Sequence, residues 1–212
     1  MKINPTHTNE TKPAVLILAG GLSERMDFPK PWLPFNKNQT FLEKIVKEYF
    51  RFGCRQMIVV INEAYCDAQQ ELHLNDLAKY AKIILNKHPK KGKSYSIYSG
   101  MKKISDCPYL FVQNIDNPFI DLELLTAIYQ SRNEDGYTVP VFENKGGHPI
   151  LIGKQIIEEL RNVNPESFNL RELLNDYHRT EIEYSKSEIL ANINTQEDYN
   201  SFFNEDYSFR AV

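Results

Sequence analysis

The stretch that decides the fold is AVLILAGGLSERMDFPKPWLP, which runs from Ala14 to Pro34. Its first part, Ala14–Gly20, is a continuous apolar run that ends in glycine, as expected for a strand buried on both faces of a sheet. Gly20 and Gly21 allow the backbone to turn with exposed N–H groups, which form a concavity that favours anions. The stretch therefore predicts an anion-binding turn at the end of a buried first strand.

Positive charge follows the turn within a few residues. Arg25 offers a planar fork for phosphate oxygens and Lys30 a compact point charge, while Pro29, Pro31 and Pro34 stiffen the segment. The spacing matches neither G-x-G-x-x-G nor G-x-x-x-x-G-K-[ST], so the usual dinucleotide and P-loop fingerprints are absent. The local chemistry suits a polyphosphate, and the alternative is an ordinary surface turn with two solvated cations.

Outward from this stretch, short apolar runs alternate with amphipathic ones. Three further buried strands are predicted, at Met57–Ile61, Lys82–Asn86 and Tyr109–Asp116. Thr40 and Glu43 form a capping box that begins a helix, and Ser94 is the predicted cap of another. Strands separated by helices imply right-handed crossovers. The expected fold class is α/β, with three α/β/α layers around a mainly parallel, Rossmann-like sheet.

Ligands of such sheets bind at the carboxyl ends of the strands. The positions at the ends of predicted strands, or directly after them, are the glycine turn from Gly20 onward, Asn62, Asn86 and Asp116. Because the carboxyl ends of parallel strands meet at one edge, these side chains are candidates for a single site.

Composition limits the remaining possibilities. The chain has 212 residues, 42% of them hydrophobic, which supports one folded domain at residues 13–212 after a flexible polar leader at residues 1–12. The balance of 25 Lys+Arg against 28 Asp+Glu argues against a nucleic-acid partner. No apolar run approaches the ~20 residues of a membrane helix, so no membrane span is expected. Three cysteines without a C-x-x-C motif favour a reduced, cytoplasmic compartment and no zinc site.

The glycine turn also resembles a family signature. Its string L-A-G-G-x-S-x-R-M, followed by P-K, is similar to that of the MobA-like nucleotidyltransferases, which include enzymes that attach GMP or CMP to molybdopterin. The usual form is L-A-(A/G)-G-x-S-x-R-M-G-x-x-K, so Asp27 stands in place of a glycine. The resemblance implies a nucleotidyltransferase sheet of the GT-A type. It also implies that the nucleotide is bound by Leu18, Ala19, Gly20, Gly21, Arg25, Lys30, Asn62 and Asn86.

Two further matches concern a metal ion. Tyr109–Phe119, YLFVQNIDNPF, resembles the family's strand that ends in D-x-P, with Asp116 on the acidic position. A carboxylate at a strand end that faces a phosphate loop suits Mg²⁺, whereas the alternative is that Asp116 caps a turn. Asn192–Asp198, NINTQED, resembles N-I-N-T-P-E-D, in which Asn192 or Asn194 would supply a second oxygen to Mg²⁺.

Two other matches concern the acceptor substrate. Gly147–Pro149 resembles the G-H-P-V element of the cytidylyltransferase branch, which lies beside the acceptor, so His148 is a candidate acceptor contact. Asn169–Leu174 resembles the G-A-R-x-L-L helix of that branch, which makes Arg171 a second candidate. A structural hydrogen bond for His148 and a surface ion pair for Arg171 are the alternatives.

The reaction implied by the resemblance is transfer of a nucleoside monophosphate from an NTP to a phosphorylated small molecule, with release of pyrophosphate. Arg25, Lys30 and Asp116 would be the catalytic residues and Mg²⁺ the cofactor. The stretch Lys91–Ile97 is closer to the G-L-S-S-S-L of the cytidylyl branch than to G-P-L-A-G, which favours CTP. Gly20 and the two asparagines of NIN favour GTP instead. Molybdopterin is the first choice of acceptor.

Three other classes of function agree less well with the sequence. A nucleotide-binding module without catalysis would explain the departures from the motif, although Arg25, Lys30 and Asp116 are all present. A nicotinamide oxidoreductase would require G-x-G-x-x-G after the first strand, and a metal-independent hydrolase would require a G-x-S-x-G elbow; the sequence has neither motif. The nucleotidyltransferase interpretation accounts for the largest part of the chain.

Overall fold

The computed structural model describes residues 12–26 and 28–203 of the chain. The predicted leader lies outside these residues except for Lys12, and so do Asp27 and the segment from residue 204 to residue 212. Within the described part, no helix is both long and apolar enough to cross a membrane.

The described residues form ten strands and seven α-helices. The strands are β1 (Ala14–Ala19), β2 (Pro34–Asn36), β3 (Gln39–Thr40), β4 (Met57–Asn62), β5 (Lys82–Asn86), β6 (Tyr109–Asn114), β7 (Gly136–Phe142), β8 (Lys145–Gly146), β9 (Ile150–Gly153) and β10 (His178–Glu183). The helices are α1 (Phe41–Phe52), α2 (Glu71–Leu77), α3 (Gly92–Met101), α4 (Leu122–Gln130), α5 (Lys154–Asn162), α6 (Leu170–Leu174) and α7 (Gln196–Phe202).

The central sheet has the strand order β10-β7-β9-β6-β1-β4-β5, with β8 beside β7. Strand β1 runs parallel to both of its neighbours, β4 and β6, and β5 runs parallel to β4. Strand β9 runs antiparallel to β6 and β7. The chain therefore builds the sheet outward from β1 through β4 to β5 and then returns to the other side of β1 as β6. This reversal at β1 and β6 is the position where open α/β sheets bind ligands.

Side chains of β1 alternate between two buried cores. Val15 and Ile17 lie in the core that also contains apolar residues of α1, α2 and α4. Leu16 and Leu18 lie in the opposite core, with residues of α3, α5 and α6. Because both faces are covered, every position of β1 is apolar, and the predicted three-layer α/β fold is confirmed.

Helix α1 begins where the sequence predicts. The hydroxyl of Thr40 accepts from the N–H of Glu43, and the Glu43 carboxylate accepts from the N–H of Thr40, at 3.3 and 2.8 Å. Gly53 ends the helix with a φ of 105°, a left-handed conformation that glycine adopts without strain. These contacts are local in sequence, which is why the capping pattern alone predicts them.

The predicted cap of α3 is wrong. The helix begins at Gly92, so Ser94 lies inside its first turn. The Ser94 hydroxyl donates to the carbonyl oxygen of Phe168, in the segment that precedes α6. Its partner is therefore 74 residues away along the chain, and no local pattern reveals such a contact.

Candidate active site

A cleft of about 470 Å³ opens where β1 and β6 end side by side. Its lining consists of Leu18, Ala19, Gly20, Gly21, Leu22, Ser23, Glu24, Arg25, Lys30, Pro31, Pro89, Lys90, Gly92, Lys93, Ser96, Asn114, Ile115, Asp116 and Asn194. The glycine turn, the two predicted cations and the predicted carboxylate therefore share one cleft, at the edge of the sheet where the sequence places them.

Two asparagines support the glycine turn from behind. The Asn62 amide donates to the carbonyl oxygen of Gly21 at 3.3 Å, and the Asn86 amide donates to that of Gly20 at 3.2 Å. Their amide oxygens accept backbone N–H groups of the loops that follow β4 and β5. Asn62 is 2% exposed and Asn86 is 1% exposed, and neither belongs to the cleft lining. In this structure they hold the turn in place.

The turn packs closely at Gly20. A Cβ at this position would lie 2.6 Å from the Ser96 hydroxyl and 2.9 Å from the Asn86 amide nitrogen, whereas a Cβ at Gly21 would have no neighbour within 4 Å. Ser23 has a positive φ of 49°, and its hydroxyl accepts from the N–H of Lys30 at 3.4 Å. The packing at Gly20 and the hydrogen bond that Ser23 accepts from Lys30 fix the path of the loop.

We expect Gly20→Ala to lower the free energy of unfolding by about 1–3 kcal/mol, because its methyl group would overlap Ser96 and Asn86. Gly21→Ala is the matched control, and its effect should stay within roughly 0.5 kcal/mol. Urea denaturation of the two variants measures the difference, and equal midpoints would contradict the packing argument. Ser96→Ala should recover part of the loss at Gly20, since it removes the nearest atom.

Lys30 and Asp116 carry opposite charges in the cleft. The Lys30 ammonium donates to the side-chain oxygen of Asn194. Burial lowers the pKa of Lys30, and the negative charge of Asp116 opposes this shift. Burial raises the pKa of Asp116, an effect opposed first by Lys30 and then by Lys93. Because these charges have lost part of their hydration, each interacts strongly with any opposite charge that enters the cleft.

The segment with Asn192 and Asn194 lies against the end of β6. The N–H of Ile193 donates to the carbonyl oxygen of Asp116 at 2.9 Å. The Asn194 amide donates to the side-chain oxygen of Asn192 at 2.6 Å. Asn194 lines the cleft, whereas Asn192 is exposed and lies outside the lining. Of the two candidate metal-binding amides, Asn194 is therefore the one placed beside Asp116.

The oxygens of Asp116 and Asn194 are of the type that Mg²⁺ prefers. Among the described residues, no three His, Cys, Asp or Glu side chains are grouped as a metal site. An ion here would need oxygens from a substrate, and this fits Mg²⁺, which binds few protein carboxylates together with phosphate oxygens. The Lys30 ammonium would have to release or share the Asn194 oxygen.

His148 does not line the cleft but forms a hydrogen bond with Asn114, which does. In the antiparallel pairing of β6 with β9, Val112 lies opposite Ile150, so Asn114 and His148 face each other two positions further along. The Asn114 amide donates to Nε2 of His148 at 3.0 Å, whereas Nδ1 is buried without a hydrogen-bond partner among the described residues. Burial, and then the charge of Lys93, lower the pKa of His148 to about 4. A neutral His148 thus positions Asn114, which lines the cleft.

The lowered pKa of His148 should make the folded state less stable in acid. Below pH 6.5 the unfolded chain protonates this histidine, while the folded chain does not until about pH 4, so stability falls as pH falls through this interval. Between pH 7.5 and pH 4.5, we expect the free energy of unfolding of His148→Gln to fall by about 2 kcal/mol less than that of the wild type. Urea denaturation at both pH values measures this, with the exposed His178→Gln as control. Equal losses in all three proteins would contradict the prediction.

The remaining predicted site residues separate into two groups. Arg25 is exposed at the cleft, on the turn side, so it can contact a ligand there. Arg171 is exposed on α6 and does not belong to the lining, so the structure does not bring it to the cleft. Asp27, which replaces the glycine of the motif, lies outside the described residues.

Outside the glycine turn, four polar residues of the cleft are missing from the predicted site: Lys90, Lys93, Ser96 and Asn114. The first three follow β5, whose carboxyl end lies two strands from β1. The basic run Lys90–Lys93 at that strand end was the available signal. Its proximity to Asp116 depends on the strand order, which the sequence pattern does not specify.

The cleft combines a glycine turn, cations and a carboxylate at the reversal of strand order beside β1. This combination defines the class of protein as an α/β enzyme that binds nucleotide phosphates. The chain belongs to the MobA-like NTP transferase domain family, whose model matches residues 15–181. It is a nucleotidyltransferase, as the residues of the glycine turn imply.

Comparison with individual proteins agrees with this family. The chain is 28% identical over 190 residues to the molybdenum cofactor cytidylyltransferase of Escherichia coli (strain K12), covering 87% of this chain and 92% of the relative. A crystal structure of Rv0371c from Mycobacterium tuberculosis H37Rv has a TM-score of 0.72 at 16% identity, covering 91% of this chain and 98% of that one. A structure of Rv0371c in complex with manganese gives 0.69 at 14% identity, covering 90% and 97%. These two structures show that the fold is shared.

Proposed function

We propose that the protein transfers CMP from CTP to a phosphorylated small molecule, molybdopterin or a compound like it, in a Mg²⁺-dependent reaction that releases pyrophosphate. The relative from Escherichia coli, which this chain matches over most of its length, is named a molybdenum cofactor cytidylyltransferase. That name supports both the nucleotide and the acceptor. The proposed location is the cytoplasm, where nucleoside triphosphates are available.

The observation that carries the proposal is the shared cleft. The glycine turn supplies backbone N–H groups, Arg25 and Lys30 supply positive charge, and Asp116 supplies a carboxylate at the facing strand end. A triphosphate needs donors along its length and a counter-charge where the leaving group departs. No enzyme nucleophile is required, since the protein aligns two phosphorylated substrates and stabilises charge that develops between them.

In this mechanism each residue has a positioning or electrostatic task. Gly20 and Gly21 hold phosphate oxygens through their N–H groups, and the buried amides behind them keep the turn rigid. Lys30 and Arg25 neutralise charge on the triphosphate and on the departing pyrophosphate. Asn114, held by His148, donates or accepts at the acceptor side of the cleft.

Asp116 and Asn194 are the residues that would hold the divalent cation. Both residues line the cleft, and the crystal structure of Rv0371c in complex with manganese supports a divalent ion in this fold. When bound, Mg²⁺ polarises the α-phosphate and templates the geometry of transfer. Removal of divalent ions with EDTA should abolish pyrophosphate release, and Mg²⁺ should restore it.

The nucleotide is tested with a thermal-shift panel of NTPs in the presence of Mg²⁺. A ligand at 100 times its Kd should add roughly 2.7 kcal/mol of stability, and we expect CTP to give the largest shift. Pyrophosphate release with CTP and a molybdopterin-type phosphate completes the test. Binding of CTP without release, with every phosphorylated acceptor tested, would favour a nucleotide-binding module without catalysis.

GTP is the second candidate nucleotide. The segment beside Asp116 carries the asparagines Asn192 and Asn194, a pair that the resemblance associates with the guanylyl branch. Gly20 agrees with that branch, and the alanine that the cytidylyl branch mostly has would require the side chains of Ser96 and Asn86 to shift. A larger shift with GTP than with CTP would replace CMP by GMP in the proposal.

A further inference from the structure

Lys93 is a cation of the cleft that belongs neither to the glycine turn nor to the predicted site. It lies in the first turn of α3, directly after Gly92, whose φ is 76°. The hydroxyl of the next residue, Ser94, donates to the carbonyl oxygen of Phe168 and holds this end of the helix in place. Lys93 is therefore presented to the cleft by a fixed part of the backbone.

Lys93 and Lys30 enter the cleft from opposite faces of the sheet. Trp32, two residues after Lys30, packs in the core that contains α1 and α4. Ile97, one helical turn after Lys93, packs in the core that contains α3 and α5. Asp116 interacts electrostatically with both ammonium groups from the end of β6. One carboxylate thus faces two cations that arrive from different sides.

The cleft has more positive than negative charge. Its lining contains four cations and two carboxylates: Arg25, Lys30, Lys90 and Lys93 against Glu24 and Asp116. Although Lys93 reaches solvent at the mouth of the cleft, the surrounding walls desolvate it and lower its pKa, and Asp116 opposes this shift. Water hydrates the Lys93 ammonium only partly, so an anion beside it would accept hydrogen bonds that the ammonium otherwise lacks.

Nucleotidyl transfer places two anionic groups on opposite sides of the α-phosphorus, the attacking oxygen and the departing pyrophosphate. Lys30 and Arg25 belong to the glycine-turn side, where the proposed function places the triphosphate. Resting on that function, we propose that Lys93 forms a second anion site, across Asp116 from Lys30, which binds the attacking phosphate of the acceptor.

The chemistry of the step is balanced without a further reactant. An oxygen of the acceptor phosphate forms a bond to the α-phosphorus, and the bond from the α-phosphorus to the oxygen bridging to the β-phosphate breaks. The electron pair of that bond leaves with pyrophosphate. A phosphate monoester is mostly a dianion at neutral pH, since its second pKa is about 6, so the attacking oxygen has no proton to lose. An alcohol acceptor would need a base at this point.

The test measures binding of inorganic phosphate by calorimetry to protein saturated with Mg²⁺ and the α,β-methylene analogue of the preferred NTP. The wild type should bind phosphate. Lys93→Ala should raise the phosphate Kd at least tenfold, which is roughly the effect of losing one hydrogen bond to a charged group. The Kd of the nucleotide analogue should stay within about twofold. Lys93→Arg should restore phosphate binding because it keeps the charge.

Two controls separate this site from the triphosphate site. Lys91→Ala removes a nearby lysine that is exposed, pairs with Glu166 at 3.4 Å and lies outside the cleft lining, so neither Kd should change. Lys30→Ala should show the reverse pattern, with weaker binding of the nucleotide analogue. If Lys93→Ala weakens the analogue as much as Lys30→Ala does, or if the saturated wild type binds no phosphate, the second anion site is disproved.

Failure of the proposed function gives a different result. If the wild type binds no nucleotide, that function is wrong. Titration of the free protein with phosphate still tests whether Lys93 forms an anion site. Loss of a phosphate site in Lys93→Ala that Lys30→Ala retains would support the anion site. Phosphate binding unaffected by Lys93→Ala would overturn it.

Discussion

Replacement of Asp116 by asparagine should lower NTP-dependent pyrophosphate release by at least about a hundredfold. Its carboxylate is the negative group that both Lys30 and Lys93 face. The neutral amide of asparagine would neither balance these charges nor bind a divalent cation as strongly as a carboxylate does. A steady-state assay with the preferred NTP and a phosphorylated acceptor, at several Mg²⁺ concentrations, measures the effect.

The matched control for this change is Asp106→Asn, because Asp106 is exposed and lies outside the cleft lining. Asp106→Asn should retain the activity of the wild type, and Asp116→Asn should keep a cooperative thermal unfolding transition. Folded Asp116→Asn protein that released pyrophosphate at a rate within about twofold of the wild type would rule out the catalytic assignment of Asp116.

Lys30→Ala should lower kcat/KM for the NTP by about a hundredfold, the usual effect of removing one preorganised donor from a site of developing charge. Lys30 is partly buried, and its ammonium contacts Asn194 and faces Asp116. If it stabilises the departing pyrophosphate, kcat falls as well as the affinity for the NTP. Initial rates over a range of NTP concentrations separate the two parameters.

Lys37→Ala serves as the control for the second prediction, since Lys37 is exposed at the turn between β2 and β3 and does not line the cleft. Its activity should match that of the wild type. Lys30→Arg should recover part of the lost rate because the charge remains while its shape differs. Unchanged kcat and KM in folded Lys30→Ala protein would remove Lys30 from the mechanism.

Both predictions concern residues that the amino-acid sequence alone makes candidates. Arg25 and Lys30 follow the glycine turn directly, and Asp116 is the last residue of the predicted strand, which in the structure ends at Asn114 as β6. The rule that ligands bind at carboxyl ends of parallel strands places them at one edge of the sheet. The structure brings all three to the same cleft.

The orientation of several other side chains could not be predicted in this way. Asn62 and Asn86 lie at the ends of their strands as expected, yet their amides donate to the carbonyl oxygens of the glycine turn, and neither residue lines the cleft. Arg171 matches its motif but stays exposed on α6, outside the cleft lining. A motif specifies a position along the chain, whereas the direction of a side chain depends on the hydrogen-bond partners that the fold places around it.

By itself, the sequence determined the main strands, the start of α1 and the edge of the sheet at which the cleft opens. The apolar run of β1, the capping box of α1 and the glycine turn act through neighbours a few residues away, so a local pattern is enough to specify them. The tertiary structure decided which strands become neighbours. That choice alone places Lys93 and Lys30 on opposite sides of Asp116. It also places His148 in contact with Asn114. These groups meet because burial and hydrogen bonding are satisfied over the whole sheet, and no short stretch of the chain contains that information.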